Sequence, residues 1–449
     1  VSVNIITGNA LAELRKLPSD FVSCAITSPP FWGLRDYNTA TWEGGDPACD
    51  HKRHPTTSTA GEKVDGYASP FRGDPNYADH INEPYLTFDG LSCRRCGARR
   101  IDDQIGLEAT PAEFVGKLVE VFREVRRVLH PSGTLWVDMG DTYCSRGGAR
   151  TYGTSDYEKG RGPPPNGRVP VAAKPKDLMM IPAQLAIALR DDGWCLRDEI
   201  IWHKKSPMPT SQRDRCTRAH ELVYMLTKSA TYFYDQKAIA EGSAYPDDKR
   251  RPLGSEGAWQ LDGRERGANG GGRPYDHETA TRIKRSVWTI GRDGDAGAKH
   301  KHFATFPRRL VEPMILAGSS ERGVCPKCFA PIERVVARRK LKRERLNDLT
   351  ARTGEAGTGN HCPNTTAGVE LIDTGWRPTC ACGLEPIPAV ILDPFSGLAT
   401  VGLVAVQLGR SYIGIELNEK YAEASRARIN NRGGVPGVKP LQGQQELFP

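Results

Sequence analysis

Apolar positions in this chain fall into short blocks separated by long polar stretches. Val3-Asn4-Ile5-Ile6 reads as a strand, and Leu11, Leu14 and Leu17 mark one face of a short helix. Phe21 to Thr27 is a second strand, stopped by Ser28-Pro29-Pro30, whose prolines cannot donate to a ladder. Thr110-Pro111-Ala112-Glu113 has the form of a capping box with proline at the first helical position. Phe114, Leu118, Val121, Phe122, Val125, Val128 and Leu129 then form one stripe at helical spacing, ending at Pro131-Ser132-Gly133. Thr134 to Val137 reads as a strand, Pro182 to Asp191 as a helix, and Leu196 to Trp202 as a strand. Leu222 to Thr227 and Tyr232 to Tyr234 read as a hairpin-like pair, and Phe306 to Ala317 as a helix. The last unit is strand Val390-Ile391-Leu392, glycine turn, helix, strand Tyr412 to Ile415, helix. Such alternation predicts an α/β sheet with helices on both faces. Residues 38–92, 145–176 and 238–300 lose this periodicity and gain Gly, Pro, Asp or Arg, and there is no internal repeat.

The chain has 449 residues, enough for two to three domains without a disulfide scaffold. Hydrophobic residues at 38% and charged ones at 26%, with 47 Gly and 33 Pro, exclude a membrane protein, a collagen and a wholly disordered chain. No apolar run reaches bilayer length and no signal peptide is visible, so the expectation is a soluble, cytoplasmic protein with no membrane partner. The net charge of +8 leans mildly towards polyanions. Between Gly323 and Arg352 nine Lys/Arg face three acids, so one short segment supplies most of the excess. Within it Arg338, Arg339, Lys340, Lys342 and Arg343 are candidates for phosphate contact, against the plainer reading of a solvated face. Arg264, Arg266 and Arg273 among glycines suit a DNA-facing loop in the same way.

Of the 12 cysteines, Cys24, Cys144, Cys195 and Cys216 stand alone and read as small buried hydrophobes. Cys325-Pro326-Lys327-Cys328 and Cys380-Ala381-Cys382-Gly383 supply two close thiolate pairs, a set that suits tetrahedral Zn²⁺, with His361 or Cys362 as replacements. Cys93-Arg94-Arg95-Cys96 is a second knuckle, with Cys49 and His51 (or His54) upstream. Two structural zinc ions are therefore expected, neither catalytic, because four protein ligands leave no open position.

Two motifs carry chemistry. Asp393-Pro394-Phe395-Ser396-Gly397-Leu398-Ala399-Thr400 follows a buried strand and opens a helix, and the next strand ends in Glu416, where an acid can bind ribose hydroxyls. Thr27-Ser28-Pro29-Pro30-Phe31 ends another strand, the edge at which open α/β sheets place ligands. An exocyclic amine of a base is barely nucleophilic, its lone pair being delocalised into the ring. Acceptors such as the Ser28 hydroxyl and Pro29 carbonyl, fixed by two prolines, can hold its hydrogens and turn the lone pair towards a methyl donor for in-line displacement. Phe31 offers a face on which a flipped base can stack.

Together these motifs resemble those of the DNA amino-methyltransferases that modify cytosine N4 or adenine N6. Asp393 to Gly402 is similar to the Asp-Pro-Phe-x-Gly-x-Gly-Thr motif that binds S-adenosylmethionine in that family, with Ala399 in place of its second Gly. Ser-Pro-Pro-Phe is similar to the form found in cytosine-N4 enzymes, and the string through Trp32-Gly33-Leu34-Arg35-Asp36-Tyr37 resembles a prokaryotic and phage branch. The catalytic motif comes first and the cofactor motif last, the permuted, β-type order. His302 to Pro307 resembles a cofactor-flanking motif, and Gly8-Asn9 falls where the family has Gly-Asp. The resemblance thus implies a Rossmann-like α/β S-adenosylmethionine-dependent methyltransferase fold, circularly permuted, with zinc-binding inserts. It implies catalytic Ser28, Pro29, Pro30 and Phe31, and cofactor contacts from Asn9, Thr27, Phe306, Pro307, Asp393, Pro394, Phe395, Gly397, Thr400 and Glu416. Residues 1–37 and 105–235 would form the catalytic half, and 301–322 with 386–432 the cofactor half. The segment 38–104 would be a zinc-stapled loop, 236–300 the target-recognition region, 323–385 a zinc-ribbon-like basic insert, and 433–449 a flexible tail. Ala399 is expected to crowd the cofactor turn if its φ is positive. The implied activity is methyl transfer from S-adenosylmethionine to cytosine N4 in double-stranded DNA, in the cytoplasm of a prokaryotic or phage-infected cell. A homodimer and a cognate restriction endonuclease stay open as partners. The alternatives are an adenine-N6 enzyme with the same frame and a non-catalytic, zinc-stapled nucleic-acid-binding protein.

Overall fold

The computed structural model describes residues 1–33, 39, 41–49, 93, 96–108, 110–144, 174, 176–207, 209–210, 212–242, 281–291, 306–340 and 369–431. Its centre is an eight-stranded sheet in the order β1-β14-β13-β2-β5-β7-β6-β10. These strands are β1 (Val3–Thr7), β2 (Val22–Thr27), β5 (Leu129–Met139), β6 (Cys195–Lys204), β7 (His220–Thr227), β10 (Val287–Ile290), β13 (Val390–Asp393) and β14 (Ser411–Glu416). Neighbours from β1 to β5 pair in parallel, β7 runs against both β5 and β6, and β10 is parallel to β6. The central strands are buried on both faces, which is why β2 and β13 read as nearly continuous apolar runs instead of alternating.

Each face is covered by three helices. On one side α1 (Ala10–Lys16), α2 (Pro111–Val128) and α3 (Ile181–Asp191) contribute Leu14, Phe114, Leu118, Phe122 and Leu185 to a core that includes Phe21 and Leu135. On the other, α4 (Arg308–Gly318), α5 (Thr400–Gln407) and α6 (Glu419–Asn431) pack Leu310, Ile315, Val401 and Ala422 against Ile26, Ile391 and Tyr412. The expected α/β sheet with helices on both faces is thus observed. The capping box of α2 forms as read: the Glu113 backbone N–H donates to the Thr110 hydroxyl, and the Glu113 carboxylate accepts from the Thr110 N–H. Three small two-stranded ribbons lie outside the sheet: β3 (Thr41–Glu43) with β4 (Arg99–Ile101), β8 (Glu241–Gly242) with β9 (Thr281–Arg282), and β11 (Ile332–Lys340) with β12 (Val369–Pro378).

Three elements differ from expectation. β5 begins at Leu129, so Pro131 to Gly133 lie within the strand and not in a turn before it. Tyr232 to Tyr234 is no strand: β7 pairs with β5 and β6, while the Phe233 N–H donates to the Ser132 carbonyl. Val287–Ile290, placed by the sequence in a separate target-recognition region, extends the main sheet as β10. Most of that region, the glycine-rich stretch after Cys144 up to residue 173, and residues 432–449 lie outside the described residues. No helix among the described residues is long and apolar enough to cross a membrane.

Candidate active site

The carboxyl ends of β1, β2, β13 and β14 open onto a cleft of about 320 Å³. Chain direction reverses its spread between β13 and β2, the switch point at which open sheets bind ligands. At that point the Thr27 hydroxyl donates to Asp393 Oδ1 at 2.7 Å, tying the two motif-bearing strands together. Asp393 is 2% exposed, and its Oδ1 also accepts the Phe395 N–H at 3.0 Å. Burial pushes its carboxyl up to about 7, against the pull of these two donors and with help from the nearby Glu416.

The turn after Asp393 is built around Gly397, whose φ of +51° suits glycine. Its N–H donates to Glu416 Oε2 at 2.8 Å, and the Asn418 N–H donates to Oε1 at 2.8 Å. Both oxygens are thereby oriented at the floor of the cleft, and burial raises the Glu416 carboxyl from its ordinary range. Ser425 donates to the Gly397 carbonyl and Arg428 to the Leu398 carbonyl, so α6 also holds the turn. Ala399 is left-handed, with φ +52°, as the crowding argument requires. Its side chain, however, is fully buried in the core beneath α5 and does not line the cleft. The extra methyl therefore strains the backbone without narrowing the site, which corrects the expectation of crowding.

Ser28, Pro30, Asn9, Phe306, Asp393, Pro394, Phe395, Gly397, Thr400 and Glu416 all line this one cleft. Thr27 stands behind it through Asp393, and Pro307 caps α4 beside Phe306. Asn9 accepts the Ala12 N–H on its side-chain oxygen and caps α1. An asparagine caps a helix as well as an aspartate does, which accounts for its presence where the family motif has an acid. One wall went unread in the sequence: Asp102, Asp103, Gln104 and Ile105, which follow β4. Gly33 N–H donates to Gly106 O at 2.9 Å and Trp32 Nε1 to Glu108 O at 3.0 Å, seating this wall against the Ser28–Phe31 turn.

The cysteines gather as two clusters. Cys325, Cys328, Cys380 and Cys382 bring their sulfurs together, as do Cys49, Cys93 and Cys96. Cys328 Sγ lies 3.8 Å from Cys382 Sγ, and Cys49 Sγ lies 3.8 Å from Cys93 Sγ. A tetrahedron with Zn–S bonds of about 2.3 Å has sulfurs about 3.8 Å apart, so the donor sets fit that ion. The two knuckles fold alike. Cys93 N–H donates to Ala98 O and Gly97 N–H to Cys93 O; Cys325 N–H donates to Ala330 O and Phe329 N–H to Cys325 O. Gly97 and Phe329 both take positive φ at this bend. His51, His361 and Cys362 lie outside the described residues.

A family model described as DNA methylase, covering N6 and N4 enzymes, matches residues 22–336 and 386–427. This chain belongs to that DNA methylase family. It is 31% identical over 429 residues to the type II methyltransferase M.XycI of Xanthomonas campestris pv. cyanopsidis, covering 95% of this chain and 88% of the relative. To M.Cfr9I of Citrobacter freundii it is 30% identical, covering 95% and 87%. A solved cytosine-N4-specific PvuII DNA methyltransferase aligns with TM-score 0.45 and 13% identity, over 95% of this chain and 86% of that one. As a DNA methylase, the protein acts on DNA.

The basic run of this DNA methylase divides. Arg334, its first member, is half-buried in the protein: it meets Asp235 at 3.0 Å, Asp373 at 2.6 Å and Glu321 at 3.0 Å, and lies over the Trp376 ring at 4.3 Å. It is therefore a structural clamp. Arg338, Arg339 and Lys340 occupy the far end of β11, whereas Lys342 and Arg343 lie outside the described residues. The Cys325 knuckle packs at the sheet end remote from the cleft, with Phe329 edge-on to Phe21 at 6.0 Å, just before β2 begins. The sequence reading gave this insert a role close to the DNA; its root lies instead at the opposite pole.

Proposed function

We propose that this chain is an S-adenosylmethionine-dependent methyltransferase of the cytosine N4 amine in duplex DNA, in the permuted, β-type order of its family. The observation that carries the reading is the joining of the Ser28-Pro29-Pro30-Phe31 turn and the Asp393–Thr400 turn in one cleft, locked by the Thr27–Asp393 hydrogen bond. The cleft suits a nucleoside sulfonium: Glu416 is fixed by two backbone N–H groups and retains lone pairs for ribose hydroxyls, and Leu11, Ile105, Phe306 and Leu398 supply apolar walls. When bound, the donor supplies an electrophilic methyl group. The chain's own part is to hold the amine. Ser28 Oγ and the Pro29 carbonyl accept its two hydrogens, and Phe31 stacks on the flipped base. Asp393 and the Gly397 turn fix the donor side of the same cleft.

The Ser28 and Phe31 pair favours cytosine, while an adenine amine would meet the same frame, so N6 methylation is the second reading. The type II relatives support a place beside a cognate restriction endonuclease. We infer further that both cysteine clusters hold structural Zn²⁺, with a fourth ligand for Cys49, Cys93 and Cys96 supplied from His51 or its neighbourhood.

Incubation with duplex DNA and labelled donor, followed by mass analysis of nucleosides, tests the reading. N4-methylcytosine is the expected product, and N6-methyladenine would move the assignment to the second reading. Ser28→Ala should keep donor affinity and lose on the order of 10²-fold in rate, since one preorganised acceptor is removed. A wild-type rate in that variant would overturn the assignment.

A further inference from the structure

The end of β5 lies against the Ser28–Phe31 turn. In the β2–β5 ladder Thr27 is opposite Val137, so the next residues along each strand, Ser28 and Asp138, are neighbours at the cleft edge. Asp138 is 4% exposed, and its Oδ1 has no hydrogen-bond partner. The Ser28 hydroxyl is hydrogen-bonded to its carboxylate. Nearby, Lys204 and Glu221 form an ion pair at 2.5 Å across β6 and β7. Two residues further on, Gly140 lies under Phe31: a Cβ there would stand 2.4 Å from Phe31 Cε2 and 2.9 Å from Cδ2.

We propose that Asp138 and Gly140 are positioning residues for the target amine: Asp138 takes the Ser28 hydroxyl hydrogen, so that Ser28 can meet the amine only as an acceptor, and Gly140 sets the seat of the Phe31 ring. This rests on the reading of Ser28 given above. A serine hydroxyl has one hydrogen and two lone pairs. Left free, it can point its hydrogen at the amine nitrogen and occupy the lone pair that must attack the methyl. With the hydrogen committed to Asp138, only lone pairs face the substrate. Burying a carboxylate with an unmatched oxygen is a cost to the fold, and burial raises the Asp138 carboxyl well above its ordinary range. That cost is repaid only if the group has a task, which the Ser28 hydroxyl provides.

The test is a set of single-turnover rates with donor affinities and thermal midpoints for Asp138→Asn, Asp138→Leu, Ser28→Ala and the double variant of the last two. Asp138→Leu removes both the acceptor and the buried charge. It should melt no lower than wild type, bind donor within about 2-fold, and react on the order of 10- to 100-fold more slowly. Asp138→Asn keeps an acceptor oxygen and should recover most of the rate. In the Ser28→Ala background Asp138→Leu should cost less than about 2-fold, because it acts through a hydroxyl that is gone. Gly140→Ala should slow the reaction by displacing Phe31, and Phe31→Leu should relieve that effect. Rates for the two substitutions that multiply independently, or a wild-type rate in Asp138→Leu, would overturn the pairing while leaving the Ser28 assignment intact. A wild-type rate in Ser28→Ala would overturn both. Should Asp138→Leu misfold, a rate in Asp138→Asn as low as that of Ser28→Ala would count against the pairing, and Gly140→Ala tests the ring seat independently.

Discussion

Ala399 combines a left-handed backbone with a methyl buried in the core beneath α5. Changing it to glycine relieves about 1 kcal/mol of strain, but it loses about 0.8 kcal/mol of methyl burial and adds freedom to the unfolded chain. Ala399→Gly should therefore change stability by less than about 1 kcal/mol in denaturant titrations and leave donor affinity as it is. Glu416 is different, because its oriented carboxylate lines the cleft. Glu416→Ala should weaken donor binding by about 1.5–3 kcal/mol in calorimetry. Asp393 makes a prediction about pH. Its carboxyl titrates at about 7 in the folded protein against an ordinary 3.8, so the native state retains a proton that the unfolded chain gives up. The corresponding stability is fully present below about pH 4 and is lost as pH rises to about 7, a difference on the order of 4 kcal/mol. Urea titrations without donor should show that slope, and Asp393→Asn should flatten it.

The cysteine knuckles share a local form but serve different elements. The Cys93 knuckle leads through β4 into Asp102–Ile105, one wall of the cleft. The Cys325 knuckle leads into β11 at the opposite pole and packs Phe329 on Phe21. Cys93→Ser should therefore weaken donor binding at temperatures where the fold persists. Cys325→Ser should lower the thermal midpoint with donor affinity nearly unchanged below it; the reverse pattern would refute this division. The ligand spacings were readable in the chain because a knuckle is a local turn, but where each knuckle docks depends on distant side chains. The same contrast explains the strands. The β13 turn and the capped α2 were legible because their residues serve needs only a few positions apart. Tyr232 to Tyr234 has strand-forming side chains, yet its backbone bonds to Ser132, a long-range choice that propensity does not encode. Asp138 escaped notice because the apolar run of β5 stops at Val137, so a buried carboxylate looked like the start of a loop.

On the scale of the whole molecule, the protein has a reactive pole and a stapled pole on either side of one sheet. Elemental analysis should find about two zinc ions per chain, and chelation should lower stability as well as activity, since neither cluster includes a cleft residue named in the chemistry. Metal-free protein with full stability would remove both ions from the account. The Thr27–Asp393 bond joins residues 366 positions apart. Closing a loop of that length costs about 5 kcal/mol in chain entropy, and no local folding can finish either side of the cleft before it happens. During synthesis β2 must wait for β13, leaving Ser28 beside a strand edge that still lacks a neighbour. Donor binding and methyl transfer should then return together in refolding, in the slow phase set by this long-range pairing. Competence to modify DNA comes to the chain late, once its distant halves have met.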